Sequence, residues 1–442
     1  MGPQVEPVPA GDARPGSADV VIIGGGIIGV SAALFLARKG ISVALCEKGY
    51  VAGEQSSRNW GWCRRMGRDP RELPLIVEAL KLWPQMEELV GEDIGFRRTG
   101  ILYLCDDDGD IAHHEDWLKR AGDYALDTHV VEGSALSVLM PGAARNFRAA
   151  LYTPSDGRAE PQKAAPAIAR AAQRAGARIL TNCAVRTIET EGGRVSGVLT
   201  EQGLIRTSTV ILAGGAWSSR LCRPLGIRLP QLVVRASVMR TAPVEGGPDN
   251  AAWGKDFAYR KRLDGGYTLA DGTLNFHHIT PDSFRYFRDF LPMLSQEWRM
   301  VRLRAGTDFF TGPFGLTPSA GLGQTVYERH RTLDPEPATA RLELVRRKME
   351  EVFPALKGVP ILQRWAGFID ATPDAIPVIS PVESLPGLVI ATGFSGHGFG
   401  IGPAAGQLAA NLAIGDSPIV DPAPFRYERF IDGTKPRPTT GV

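Results

Sequence analysis

Asp19-Val20-Val21-Ile22-Ile23-Gly24-Gly25-Gly26-Ile27-Ile28-Gly29 is the stretch on which the reading of this chain turns. An apolar strand runs straight into glycines at Gly-x-Gly-x-x-Gly spacing, and a helix over residues 27–39 follows. In such a unit Gly24 permits the tight turn, Gly26 lets the backbone approach a pyrophosphate, and Gly29 allows the helix to pack closely on the strand. The phosphates belong at the helix N-terminus, where free N–H groups and the positive end of the dipole favour anions by ~0.3–1 kcal/mol per charge at exposed sites. A second strand over residues 42–47 ends on Glu47, 18 residues beyond Gly29. Its carboxylate suits ribose hydroxyls and repels a 2′-phosphate, which argues against NADP. The fingerprint by itself does not separate FAD from NAD.

Composition narrows the class. A chain of 442 residues, 43% hydrophobic and 22% charged, has material for two or three domains' worth of core and the balance of a soluble globular protein. A net charge of +2 supplies no drive toward nucleic acid or an anionic membrane. Five scattered cysteines, Cys46, Cys63, Cys105, Cys183 and Cys222, lack CxxC spacing and fit reduced thiols in a cytoplasm. Residues 1–18, rich in Pro, Gly and Ala, read as a disordered tail without a signal-peptide core, and no run approaches the ~18 apolar residues of a membrane anchor. His113-His114 and His277-His278 have no accompanying thiol or carboxylate cluster, so no metal site is expected.

Outward from the first unit, Gln55-Ser56-Ser57-Arg58-Asn59-Trp60 and Trp62 lie in a polar loop leaving the second strand. Helical spacing over residues 70–90 reads as packing. Residues 70–145 look like the start of a second domain that interrupts the nucleotide fold. The first pattern returns with a helix over 163–175, strands over 178–181, 185–190 and 195–200, and a buried strand entering Ala213-Gly214-Gly215-Ala216-Trp217. Strand alternation over 232–272, helical material over 285–304 and an amphipathic helix over 338–353 form the rest of the second domain. Then a strand over 388–392 enters Gly393-Phe394-Ser395-Gly396-His397-Gly398-Phe399-Gly400-Ile401-Gly402, followed by a helix over 403–414. Five glycines in ten residues between a strand and a helix make a second anion-accepting helix start.

Taken together, the order and spacing of these pieces, with Thr372-Pro373-Asp374 between them, resemble the D-amino acid oxidase superfamily of FAD enzymes, in the branch of glycine oxidase, sarcosine oxidase and bacterial L-amino acid deaminases. The resemblance spans nearly the whole chain. It implies a Rossmann-like FAD-binding domain (α/β) interleaved with an antiparallel-sheet substrate domain (α+β), a glutathione-reductase-type FAD fold. The expected division is 19–69, 146–231 and 355–430 for FAD, 70–145 and 232–354 for substrate, and 431–442 as a tail. It further implies that Gly24, Gly26, Ile27, Ile28 and Gly29 hold the pyrophosphate, that Glu47 and Lys48 meet the ribose, and that Gln55, Ser56, Ser57, Arg58, Asn59 and Trp60 follow the pyrophosphate and flavin. Val185 would read adenine, with Gly214, Gly215, Trp217 and Gly367 close to the cofactor. Gly396, His397, Gly398, Phe399, Gly400 and Ile401 would face the N1–C2=O edge of the flavin. Covalent flavin in such proteins uses a Cys in the C-terminal region or a His in the N-terminal loop; neither occurs here, so FAD is expected to be non-covalent.

The implied activity is oxidation of the CH–NH bond of an amino acid or N-substituted amino acid, with O2 or another acceptor taking the electrons. Such a site needs a cation for the substrate carboxylate, preferably a bidentate Arg. Arg364, beside Trp365, is the leading candidate, with Arg235, Arg302 and Arg304 behind it. His397 is the visible acid–base group, and Tyr259, Tyr267, Phe309 and Phe310 are candidate pocket walls. Two other functions fit the same motifs: oxidation of a 2-hydroxy acid, and a non-catalytic FAD subunit of a multi-subunit amine oxidase. A homo-oligomer or a partner subunit is compatible with each.

Overall fold

Val20–Ile23 (β1) is buried on both faces, which is why it reads as an unbroken apolar run rather than an alternating one. The computed structural model describes residues 2–9, 13–298, 300–316 and 323–439. Within them β1 leads into helix α1 (Ile27–Arg38) and then β2 (Val43–Cys46), which pairs with β1 in parallel register, Ile22 opposite Leu45. The loop after β2 contains one helical turn, α2 (Gln55–Arg58), and is followed by helix α3 (Leu73–Val90). On the other side of β1 lies β3 (Val210–Leu212).

A second sheet of ten strands is built around β4 (Leu232–Thr241) and β5 (Ile361–Ala371), antiparallel from Leu232 opposite Ala371 to Arg240 opposite Gln363. The chain then returns to the first sheet as β6 (Leu388–Thr392), parallel to β3, and continues into helix α4 (Gly398–Ile414). The first sheet has six strands: β6, β3, β1 and β2 at its centre, with Arg178–Leu180 and the antiparallel Val378–Pro381 at its edges.

The division between the halves differs from the expected one. Strand β5 and the strand Ala149–Thr153, both in segments assigned to the FAD half, belong to the large sheet. Helix α3, assigned to the substrate half, packs on α4 instead, and its Trp83 indole donates to the Gly400 carbonyl at 2.7 Å. Periodicity identifies a strand or a helix but not the sheet it joins. Val301–Arg304, expected as helix, is a strand parallel to Asn275–His278, and the helix before it is Phe287–Glu297.

Residues 2–9 were expected to be part of a disordered tail, yet Pro3 is buried. The Glu6 backbone N–H donates to Gln162 at 3.0 Å and its carboxylate pairs with Arg170 at 2.8 Å. A proline-rich extended segment has little freedom to lose on docking, so a few such bonds suffice to place it. Residues 1, 10–12 and 440–442, within the two expected tails, lie outside the described residues. No helix among the described residues is long and apolar enough to cross a membrane.

Candidate active site and cofactor cradle

The nucleotide end is shaped by what its glycines exclude. Gly24 has φ +107°, and a Cβ there would lie 2.4 Å from the Ala213 carbonyl; at Gly29 it would lie 2.0 Å from the Gly24 carbonyl. Helix α1 begins at Gly26 with no side-chain cap and no acidic residue in its first turn, leaving its dipole open to an anion. The Ile27 N–H donates to Ser56 Oγ at 2.9 Å, which ties the loop to the helix start. Each oxygen of Glu47 accepts one backbone N–H at 2.7 Å, from Gly25 and from Gly49. Burial pushes the Glu47 pKa up, and Lys48 with these N–H groups pulls it back. A carboxylate so fixed keeps lone pairs for two ribose hydroxyls. These residues fit a dinucleotide.

One cavity runs from this end to the large sheet and is lined by all but six of the expected site residues. Gly29, Ser57, Gly400, Ile401, Arg364 and Trp365 do not line it. Gly29 is spent on helix–strand contact, Ser57 Oγ donates to the Glu54 carbonyl, and Ile401 is fully buried. The glycine-rich segment, read as a loop up to residue 402, is already helical from Gly398, so Gly400 packs against the Trp62–Arg64 backbone, with its carbonyl bonded to Trp83, and Ile401 lies in the core. Arg364 lies 3.7 Å from Glu343, and Trp365 is buried with its indole donating to the Arg58 carbonyl at 3.0 Å. Both precede the point, Gly367, where β5 reaches the cavity.

Two lining cations are also engaged by protein groups. Lys48 Nζ donates to Glu54 (2.6 Å) and to the carbonyls of His330 and Arg331. Arg58 bonds Asp334 at 2.6 Å and the Ala366 carbonyl at 2.8 Å. Arg235 and Arg304 both stack on Phe276 at 5.2 Å, Arg302 is exposed, and none of the three lines the cavity. Tyr259 and Tyr267 are core under the helix Thr339–Val352, and Phe309 and Phe310 lie on Asp308–Thr311, away from the cavity.

The far end of the cavity brings Trp60 together with groups the sequence reading did not assign. Trp60, Trp62 and Trp253 pack edge to face, with ring centroids 5.2 to 6.5 Å apart, and form an aromatic wall. Beside them Arg64 and Arg68 line the cavity, 8% and 3% exposed, and neither is in an ion pair among the described residues. Arg64 donates to the Met66 carbonyl and lies over Tyr103; Arg68 Nη1 and Trp62 Nε1 are buried without a hydrogen-bond partner among the described residues. Burial, helped by the Arg64 charge, pushes Arg68 down to about 9.

Buried Asp156 accepts the N–H groups of Arg65 and Met66, and the Trp117 indole donates to the Arg68 carbonyl, so the segment bearing the two guanidiniums is firmly held. Two unpaired, desolvated guanidiniums are costly unless an anion completes them. A signal was present in Arg64-Arg65 and Arg68 directly after the tryptophans, but clustered arginines usually mark a solvated surface.

His397 lines the same end. Its Nδ1 lies 3.0 Å from Glu72, and burial, reinforced by the Arg68 charge, pushes its pKa down to about 4, leaving it neutral near pH 7.

Comparison with known proteins agrees with the cradle. The family model for DAO, FAD dependent oxidoreductase, matches residues 19–412. Glycine oxidase of Pseudomonas putida is 27% identical over 93% of this chain and 99% of its own length. Sarcosine oxidase subunit beta of an Arthrobacter species is 27% identical over 94% of this chain and 92% of its own. The structure of L-amino acid deaminase from Proteus myxofaciens in complex with anthranilate superposes with a TM-score of 0.90 at 35% identity, covering 96% of each chain. The chain belongs to the DAO family of FAD-dependent oxidoreductases.

Proposed function

We propose that this FAD-dependent oxidoreductase oxidises the CH–NH bond of an amino acid or N-substituted amino acid whose carboxylate is held by Arg64 and Arg68. The observation that carries the reading is that pair of buried guanidiniums without an ion-pair partner among the described residues, in the cavity that also receives the cofactor cradle. The named relatives support the substrate class: glycine and sarcosine are amino acids, and the Proteus enzyme binds anthranilate, an aromatic amino acid.

The FAD pyrophosphate would rest on Gly24, Gly26 and the start of α1, with the ribose on Glu47. FAD bound there supplies a hydride acceptor for the substrate α-carbon. The chain's own residues do the rest. Arg64 and Arg68 fix the carboxylate, and so the direction in which the α-carbon faces. Trp60, Trp62 and Trp253 exclude water from the reacting end, and His397, neutral near pH 7, adds no third positive charge beside the two guanidiniums. The imine product hydrolyses after release. The electron acceptor is O2 or another oxidant, the assembly a single chain or one with a partner subunit, and the five free buried thiols fit a cytoplasmic location.

Anaerobic bleaching of the flavin against D- and L-amino acids, N-methyl amino acids and 2-hydroxy acids tests the reading. Reduction by amino acids is expected, and Arg68→Ala should raise the substrate concentration for half-maximal reduction by ~100-fold, the equivalent of a lost charge-assisted pair of bonds. Reduction by 2-hydroxy acids alone would overturn it.

A further inference from the structure

Glu72 is fully buried at the residue preceding α3, where a side chain ordinarily caps its own helix; it makes no such bond. Its carboxylate instead crosses to His397, 325 positions away in the chain, with Oε2 at 3.0 Å from Nδ1, and Oε1 has no hydrogen-bond partner among the described residues. Leaving a buried carboxylate oxygen unpartnered is costly, so the group is poorly explained as a mere packing element. A carboxylate accepts, so the imidazole proton is on Nδ1. Among the described residues the other ring nitrogen, Nε2, makes no hydrogen bond, and His397 lines the cavity whereas Glu72 does not, so the Nδ1 edge is spent on Glu72 and Nε2 is left free for a group bound in the cavity.

We infer that Glu72 is a positioning residue that locks His397 into the Nδ1–H tautomer, so that its Nε2 lone pair accepts a hydrogen bond from the substrate's amine nitrogen. The inference rests on the amino-acid reading above. It gives the cavity end opposite requirements: donors from Arg64 and Arg68 for the carboxylate, and one acceptor for the amine. The charged groups facing His397 are Glu72 from the entry to α3 and Arg64 and Arg68 from the segment before it. A bound substrate carboxylate offsets the two arginines and leaves the imidazole a better acceptor when it is needed.

Two variants of the holoenzyme test this, Glu72→Leu and the isosteric Glu72→Gln. Nitrogen-15 NMR of histidine-labelled protein should show His397 as the Nδ1–H tautomer in the wild type, shifted toward Nε2–H in Glu72→Leu, with Glu72→Gln between them because its amide oxygen still accepts. In the same proteins the efficiency of anaerobic flavin reduction by the preferred amino acid should fall at least ~10-fold in Glu72→Leu, with partial rescue in Glu72→Gln. Inhibition by the des-amino carboxylic acid should stay within ~2-fold, since only the amine contact is lost.

An unchanged tautomer overturns the proposal, as does equal weakening of the amino acid and its des-amino analogue. A shifted tautomer that alters FAD retention but not amine discrimination would assign Nε2 to the flavin and also overturn it. If no amine reduces the wild-type flavin, the amino-acid reading itself fails, and the NMR result still reports the tautomer independently.

Discussion

Asp370 shows how one residue of the cavity wall is set against solvent. It is 2% exposed, and its Oδ2 accepts from Gly393 N–H and Gln231 Nε2 at 2.8 Å each and from Thr392 at 3.2 Å. Burial pushes it up to about 6, against the pull of those donors. A carboxyl raised in the fold contributes stability that is complete below its unfolded value near 4 and lost as pH rises through about 6. The difference is on the order of 3 kcal/mol. Asp370→Asn keeps an oxygen for the donors and removes the titration, so its melting temperature relative to wild type should improve between pH 4.5 and pH 8. Parallel melting curves across that range would show that Asp370 does not titrate there. Buried Asp156, also pushed up to about 6, titrates in both proteins and cancels from the comparison.

At the scale of elements, the cradle depends on how closely α4 approaches α1. A Cβ on Gly406 would lie 2.5 Å from Ser31 Cβ and 2.7 Å from the Ile28 carbonyl, and one on Gly402 would lie 2.8 Å from Ile27 Cγ2. A backbone contact cannot be relieved by a rotamer change. Gly406→Val should therefore cost ~3 kcal/mol and displace the first turn of α1, so that the protein purifies without flavin. Gly122→Ala, with nothing within 4 Å, should be within ~0.5 kcal/mol of wild type and keep its flavin. Calorimetry and flavin-to-protein absorbance ratios read both.

The same contact explains what the sequence made legible. The glycines of the first turn were readable because strand, spacing and acid all lie within 30 residues. The start of α4 was misplaced because glycines disfavour helix locally and tertiary contact overrides them. Arg64, Arg68 and Glu72 were missed for a different reason. Their meaning lies in cavity-facing position and in a partner, His397, that only folding brings near.

At the scale of the molecule, the cavity joins the two sheets: Ile23 and Ala391 from the first, with Ala213 just past β3, and Ala236 and Val238 from the second all line it. The segment around residues 325–334 straps the cradle shut through Arg186–Glu328 at 2.6 Å, Arg331–Glu201, the Lys48 bonds to residues 330 and 331, and Arg58–Asp334 at 2.6 Å. A ligand bridging both sheets beneath such a strap stabilises the whole fold, by ~4 kcal/mol when free FAD exceeds its dissociation constant a thousandfold. Removing FAD should accordingly lower the melting temperature in a concentration-dependent way. Asp334→Ala removes the strap's carboxylate partner from Arg58, a side chain only 3% exposed. If the strap retains the cofactor, that variant should release FAD about 10-fold faster, a change of about 1.4 kcal/mol in the release barrier, while its apo form melts close to wild-type apo protein. An equal loss of stability in apo and holo forms with unchanged FAD release would instead make the Arg58–Asp334 pair a structural tie with no part in holding the cofactor.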